Sequence, residues 1–304
     1  MNTKKVNKSK FPVEVLRDDM LPFIMQYLPY LDELLGDEIK FNNLKKDFIY
    51  HYTNTPINTV ASIDKLLNGY NQITFYDNYL QYLWCLSYSF IVFYDQLYKK
   101  SKTGEIDKFE FGKGLQVFEN GLSLLNQYET EKFYSLPNPT ESDTEHEYIS
   151  KASSIFLNSF SFILCHEFGH QYLGHLTYDN ISSEQSKSEE LNADDFAISI
   201  FIDSIKQGSE WTKKCGMITA LSSLVFLDNT LKGGDHHPDP DDRIKKCLVK
   251  LNLSQDDPLW GWASLFFIFW SYYYHSPIEN NGKFDNAFLD FEYIYEVCQN
   301  RKYE

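Results

Sequence analysis

No apolar run in this 304-residue chain reaches the roughly 20 residues that a bilayer-crossing helix needs. The longest, Tyr82 to Tyr94, Ser153 to Cys165 and Leu259 to Tyr274, therefore read as core helices, and membrane contact is not expected. The third is borderline, since its Trp260, Trp262, Trp270 and Tyr272 to Tyr274 could also decorate a membrane interface. Basic charge is also scarce. Acidic residues outnumber basic ones 43 to 28, and the formal charge of −15 opposes any nonspecific attraction to nucleic acid. Cysteine pairs are missing: Cys85, Cys165, Cys215, Cys247 and Cys298 are odd in number and scattered, which excludes a disulfide framework and a thiolate zinc site. A secretory signal is not visible either, because Phe11-Pro12-Val13-Glu14 follows the basic residues up to Lys10 where an apolar segment would have to stand. A reducing, cytoplasmic compartment is the expectation.

Strand-like alternation is rare, and Ile73 to Tyr76 is the one run of that kind, short enough to be a helix entry instead. What the chain has is helical spacing, as in Leu21, Ile24, Met25, Leu28, Leu31, Leu34, Leu35 and again in Leu115, Phe118, Leu122, Leu125. A mainly α fold follows, with 43% hydrophobic residues to fill its core. Four regions are expected: a helical amino-terminal region over 1–134, a proline-containing acidic loop over 135–147, a core over 148–252, and a carboxyl-terminal helical region over 253–304 whose last helix runs from Asp285 to Cys298. Within the core, one helix is expected over Ile149 to Leu176. A second runs from about Lys187 to Gln207, opened by a Ser186/Glu189 capping box and closed at Gly208.

The first of these helices contains His166-Glu167-Phe168-Gly169-His170, a His-Glu-x-x-His sequence. At 3.6 residues per turn the two histidines stand one above the other and can grip one ion, while Glu167 lies about 100° round, within reach of a water at the metal. This is the pattern of a zinc peptidase, in which the glutamate is the general base. One Zn²⁺ per chain is expected. A catalytic zinc needs a third protein ligand, and Glu190, ahead of Leu191-Asn192-Ala193-Asp194 on the second helix, is the best placed, with Glu189 as its neighbouring competitor. Asp194, one turn further on the same face, suits a hydrogen bond to the second ring nitrogen of His166 or His170. Ala193 would let the two helices approach closely. Leu173 and Leu176 stand where another class of zinc peptidase carries Gly and a third His, which excludes that class.

His166-Glu167-x-x-His170 followed by Glu190-x-x-Ala193-Asp194 resembles the gluzincins, zinc peptidases with a glutamate ligand, and within them the phage-exclusion (Lit-type) metallopeptidases. The resemblance covers about residues 150 to 245. It implies a zincin-like core, endopeptidase activity on a protein or peptide substrate in the bacterial cytoplasm, and a defensive role against phage; a peptidase kept latent until a phage or host component binds is a rival to one that is always active. The segment Asp235-His236-His237-Pro238-Asp239-Pro240-Asp241-Asp242-Arg243-Ile244 adds to the likeness, resembling a His-Pro…Arg-Ile segment found downstream in several gluzincin families. Asp239 fits a helix N-cap and Pro240 the first helical position. His237, or Arg243, could then stabilise the oxyanion of the reaction, or else the segment is a structural cap whose Arg243 pairs with a carboxylate. His175 lies about 140° round the helix from His170, is not expected to see the metal and reads as a helix-end residue; Cys165 reads as a buried structural thiol, and His146 has no partner at helical spacing. The rival reading is a non-catalytic, zinc-containing binding or sensor protein.

Overall fold

The structure, a computed structural model, describes residues 11–25, 49–51, 57, 60–126, 136–137, 146–175, 181–205, 210–279 and 284–302. The leucines from 28 to 35, most of the acidic loop and Gly208 lie outside them. Among the described residues the architecture is mainly α, as expected, with one small sheet. Helix α1, Pro12–Met25, precedes three strands: β1 (Ile49–His51), β2 (Ala61–Lys65) and β3 (Asn71–Tyr76). There follow α2 (Asp77–Thr103), α3 (Lys108–Asn126), α4 (His146–Leu173), α5 (Ser183–Ser204), α6 (Glu210–Ser222), a 3₁₀ turn (Ser223–Phe226), α7 (Pro240–Lys250), α8 (Pro258–Tyr274) and α9 (Ala287–Arg301).

Helix α2 is buried on every side from Asp77 to Phe93, which is the pattern of a helix with neighbours all round. It packs against α3, α4, α6 and α8. Aromatic rings fill the joint with α8, where Phe90 stacks on Phe266 at 3.9 Å between centroids and Phe93 on Phe269 at 4.2 Å. No described helix is long and apolar enough to cross a membrane. One hydrophobic cluster reaches from Val13 through α4 and α8 to Cys298, and all five cysteines are buried and free.

Helix α4 crosses the middle of this core between α2, α5 and α6. Its contact with α6 is close enough that a Cβ at Gly216 would lie 2.4 Å from that of Asn158, and the Ser159 hydroxyl donates to the Gly216 carbonyl at 2.9 Å. The sheet sits against the same helix, with the buried Phe75 4.6 Å from Phe160 between ring centroids. β3 is the central strand, parallel to β1 (Ile49↔Thr74) and antiparallel to β2 (Ile63↔Ile73). The run at Ile73 to Tyr76 is thus a strand, and it leads directly into α2. Among the described residues β2 is an edge strand, and it lies alongside α4.

The far end of the chain is tied back to the site. Lys302, just past α9, is 4% exposed and places its Nζ 2.6 Å from Asp239 and 2.9 Å from Asp241 at the start of α7. Burial pushes the Asp241 carboxyl up to about 6 against the opposing pull of Lys302, so this ammonium is what makes a fully buried aspartate tolerable there.

Candidate active site

Helix α4 presents His166, Glu167 and His170 to a facing helix, α5. The two come close because Gly169 meets Ala193: a Cβ at 169 would lie 3.1 Å from the Ala193 Cα. Helix α5 starts earlier than its sequence suggested. Ser182 is the N-cap and accepts from the Gln185 N–H at 3.2 Å, so the helix begins at Ser183 and Glu190 stands two turns inside it rather than in its first turn. Ser186 is not the cap. Its hydroxyl donates to the His236 carbonyl at 2.9 Å, and together with a bond from Ser183 to the Asp235 carbonyl it fastens the loop before α7 to α5.

Three donor groups converge. His166 Nε2 and His170 Nε2 are 3.1 Å apart, and the Glu190 carboxylate oxygens lie 3.5 Å from the first and 3.4 Å from the second. Tetrahedral coordination with ligands at about 2.0–2.2 Å spaces its donors about 3.3–3.5 Å apart, so these atoms fit the corners of a zinc site. Glu189, the competitor, is instead paired with Gln185 Nε2 at 2.9 Å on the exposed side. Burial alone would raise the Glu190 carboxyl, but the hydrogen bonds from His166, His170 and His237 outweigh it and hold it well below the usual carboxylate range. Burial alone would lower His166, yet Asp194 and Glu190 drive it up to about 10. The two Nε2 atoms at 3.1 Å are held together by one positive charge, a proton donated from one ring to the other or a metal ion bound by both.

Beneath the histidines stands Asp194, 2% exposed, whose Oδ1 is 2.9 Å from His166 Nδ1. Arg243 grips the same carboxylate with Nε at 2.7 Å and Nη2 at 2.8 Å. Burial would raise Asp194, but the guanidinium and the His166 bond prevail and hold it at about 2. Arg243 is therefore the partner of a carboxylate, with its Nη1 3.6 Å from Glu190. Asp239 has the extended backbone of an N-cap and Pro240 opens α7, as expected, but the Asp239 carboxylate takes the Gly233 N–H and Lys302 instead of capping the helix. The loop passes so tightly that a Cβ at Gly233 would lie 2.1 Å from the His237 carbonyl oxygen. His237 itself is exposed on the cavity rim, its Nδ1 3.6 Å from Glu190.

A cavity of about 540 Å³ opens over the cluster, lined on its polar side by His166, Glu167, Glu190, Asp194, His237 and Arg243. Its other wall is apolar, with Phe162, Ile163, Leu221 and Leu224, and the start of β2 at Ala61 borders it. Glu167 is 8% exposed, and burial raises its carboxyl against the pull of His166 and His170. Cys165 faces the core, its thiol pushed up to about 12 by burial, and is no member of the donor set. His146 opens α4 at the end remote from the motif.

His175 stands at the helix end and outside the donor set, as expected, but it does not point away from His170: its Nδ1 is 3.0 Å from His170 Nδ1. Its signal in the sequence was Gly174, which ends α4 with φ +77 and turns the chain back. Lys302 had no local signal at all, since its carboxylate partners lie some 60 residues away.

No curated protein and no solved structure matches the chain. The family described as Peptidase U49 matches residues 73–263, a span that runs from β3 into α8 and takes in every residue lining the cavity except Ile57, Val60 and Ala61. Since that span is more than half of the 304 residues, the chain belongs to the Peptidase U49 family.

Proposed function

We propose that the peptide-bond hydrolysis implied by this family is carried out here by a single-zinc metalloendopeptidase site, with His166 Nε2, His170 Nε2 and the Glu190 carboxylate as ligands. The convergence of those three groups to within 3.5 Å of one another is the observation that carries it. When bound, zinc supplies the positive charge that polarises the scissile carbonyl and lowers the pKa of water to about 7. Glu167 takes the proton from the attacking water as its oxygen bonds to the carbonyl carbon. It then delivers that proton to the departing amine nitrogen as the carbon–nitrogen bond breaks. Its burial suits both tasks, because a raised carboxyl pKa lies nearer neutrality. Asp194 accepts the Nδ1–H of His166 and so keeps the Nε2 lone pair turned to the ion, and Arg243 keeps Asp194 in place. His237, on the rim, donates to the developing oxyanion.

The substrate is an extended segment of a protein. Among the described residues β2 is an edge strand, and its first residue borders the cavity, which suits a peptide added to the sheet by main-chain hydrogen bonds. Elemental analysis tests the site: the wild type should hold about one zinc per chain, and His170→Ala and Glu190→Ala should hold none. Zinc retained in Glu190→Ala would remove that residue from the ligand set.

The likeness to the phage-exclusion enzymes extends the proposal to a cytoplasmic, anti-phage protease, latent until a phage or host component binds. Incubated with bacterial lysate, the purified protein should cut a discrete host protein only when extract from phage-infected cells is added, with its zinc content unchanged throughout. Equal cleavage with and without infected extract would exclude latency.

A further inference from the structure

A histidine that binds zinc through one ring nitrogen is oriented through the other, usually by donating that N–H to a fixed acceptor. Asp194 meets this need for His166. Among the described residues no carboxylate is paired with His170 Nδ1; His175 Nδ1 is there instead, at 3.0 Å, with the two rings 5.1 Å apart and inclined at 71°. Had α4 continued, residue 175 would point about 140° away from residue 170. The helix stops at Leu173, and Gly174 adopts φ +77, its N–H reaching the Gln171 carbonyl at 3.3 Å. A Cβ at 174 would meet nothing within 4 Å, so space does not demand glycine there. The left-handed backbone does, and it is what brings His175 back over the last turn.

We propose that His175 is the positioning residue of His170. Two Nδ1 atoms at 3.0 Å require one proton between them. With His170 Nε2 as a zinc donor beside His166 Nε2 and Glu190 Oε1, its lone pair must face the ion, so that proton belongs on His170 Nδ1, and His175 accepts it with its own proton on Nε2. The tautomer of His170 that can bind a metal is thereby fixed, with its ring plane. The two ligand histidines are supported unequally, one by an ionised carboxylate and the other by a neutral imidazole held on a glycine turn.

The inference rests on the proposed zinc site, and its test separates the two. Zinc affinity is measured by chelator competition on the full chain, for the wild type, His175→Phe and His175→Asn, with His170→Ala as the reference for a lost ligand. Phe keeps a ring of similar size and has no acceptor; Asn restores an acceptor oxygen near the Nδ1 position. His175→Phe should bind zinc about 10–100-fold more weakly, His175→Asn should recover most of that loss, and the stoichiometry should stay at about one. Unchanged affinity in His175→Phe, or an Asn variant no better than Phe, overturns the positioning role while leaving the zinc site intact. Two zinc ions in the wild type, falling to one in His175→Phe, would make His175 a ligand of a second ion and overturn it too. A wild type without zinc, or zinc kept by His170→Ala, overturns the site and the inference together.

Discussion

Glu167→Gln is expected to retain about one zinc per chain and to lose at least about 10²–10⁴-fold in peptide hydrolysis. The amide has the shape of the carboxylate but cannot take a proton from water, and Glu167 is not among the three converging donors, so metal binding has no reason to change. At 8% exposure the side chain is enclosed beside the cluster, and the two carboxylates of the cluster are otherwise engaged: Glu190 faces both histidines and Asp194 is held by Arg243. The measurement is cleavage of an unfolded protein, followed by mass spectrometry, beside zinc content on the same samples. Full activity in the variant would rule out Glu167 as the base. A wild type that binds zinc and a partner protein equally well before and after the substitution, with no cleavage by either, would favour the non-catalytic sensor.

The parts of the site legible in the sequence were those set by helical period. His166 and His170 four apart, and Glu190 and Asp194 four apart, place their side chains on common faces whatever surrounds them, and the structure brings both pairs together. Helix α4 was expected over Ile149 to Leu176 and runs His146–Leu173; the last helix was expected over Asp285 to Cys298 and runs Ala287–Arg301. The start of α5 was misread because Ser182 and Ser186 are both competent caps, and the choice went to the serine whose rival was needed by the His236 carbonyl. β1 and β2 escaped notice for a different reason. One has three residues and the other reads Ala-Ser-Ile-Asp-Lys, and their pairing with β3 is a tertiary fact that no local alternation announces. His175 was misplaced by extending the helix through a glycine whose φ is positive. Arg243 was left between catalysis and packing, since a sequence cannot say which of several acidic residues lies 49 positions away in contact with it.

Arg243→Leu should destabilise the metal-free protein by about 3–5 kcal/mol, because it removes one partner of a buried ion pair and leaves the other enclosed. Asp194 is 2% exposed and Arg243 is 7% exposed, and neither has water to fall back on. The sign of the pH dependence follows from the same pair. Asp194 is held at about 2, below its ordinary 3.8, so its contribution is fully present above the ordinary value and is lost as pH falls toward 2. In Arg243→Leu that loss should move to higher pH, as His166 alone remains to hold the carboxylate. Replacing both residues, Asp194→Leu with Arg243→Leu, takes away the stranded charge and should restore most of the stability, since buried ion pairs often give way to apolar pairs at little cost. Metal affinity should not recover with it. The double variant leaves His166 Nδ1 without its acceptor, and zinc should bind about 10–100-fold more weakly than in the wild type. Urea unfolding of the metal-free proteins and chelator competition on the zinc-loaded ones separate the two effects. Stability and affinity recovering together would mean that Asp194 and Arg243 serve the core alone and have no part in orienting His166.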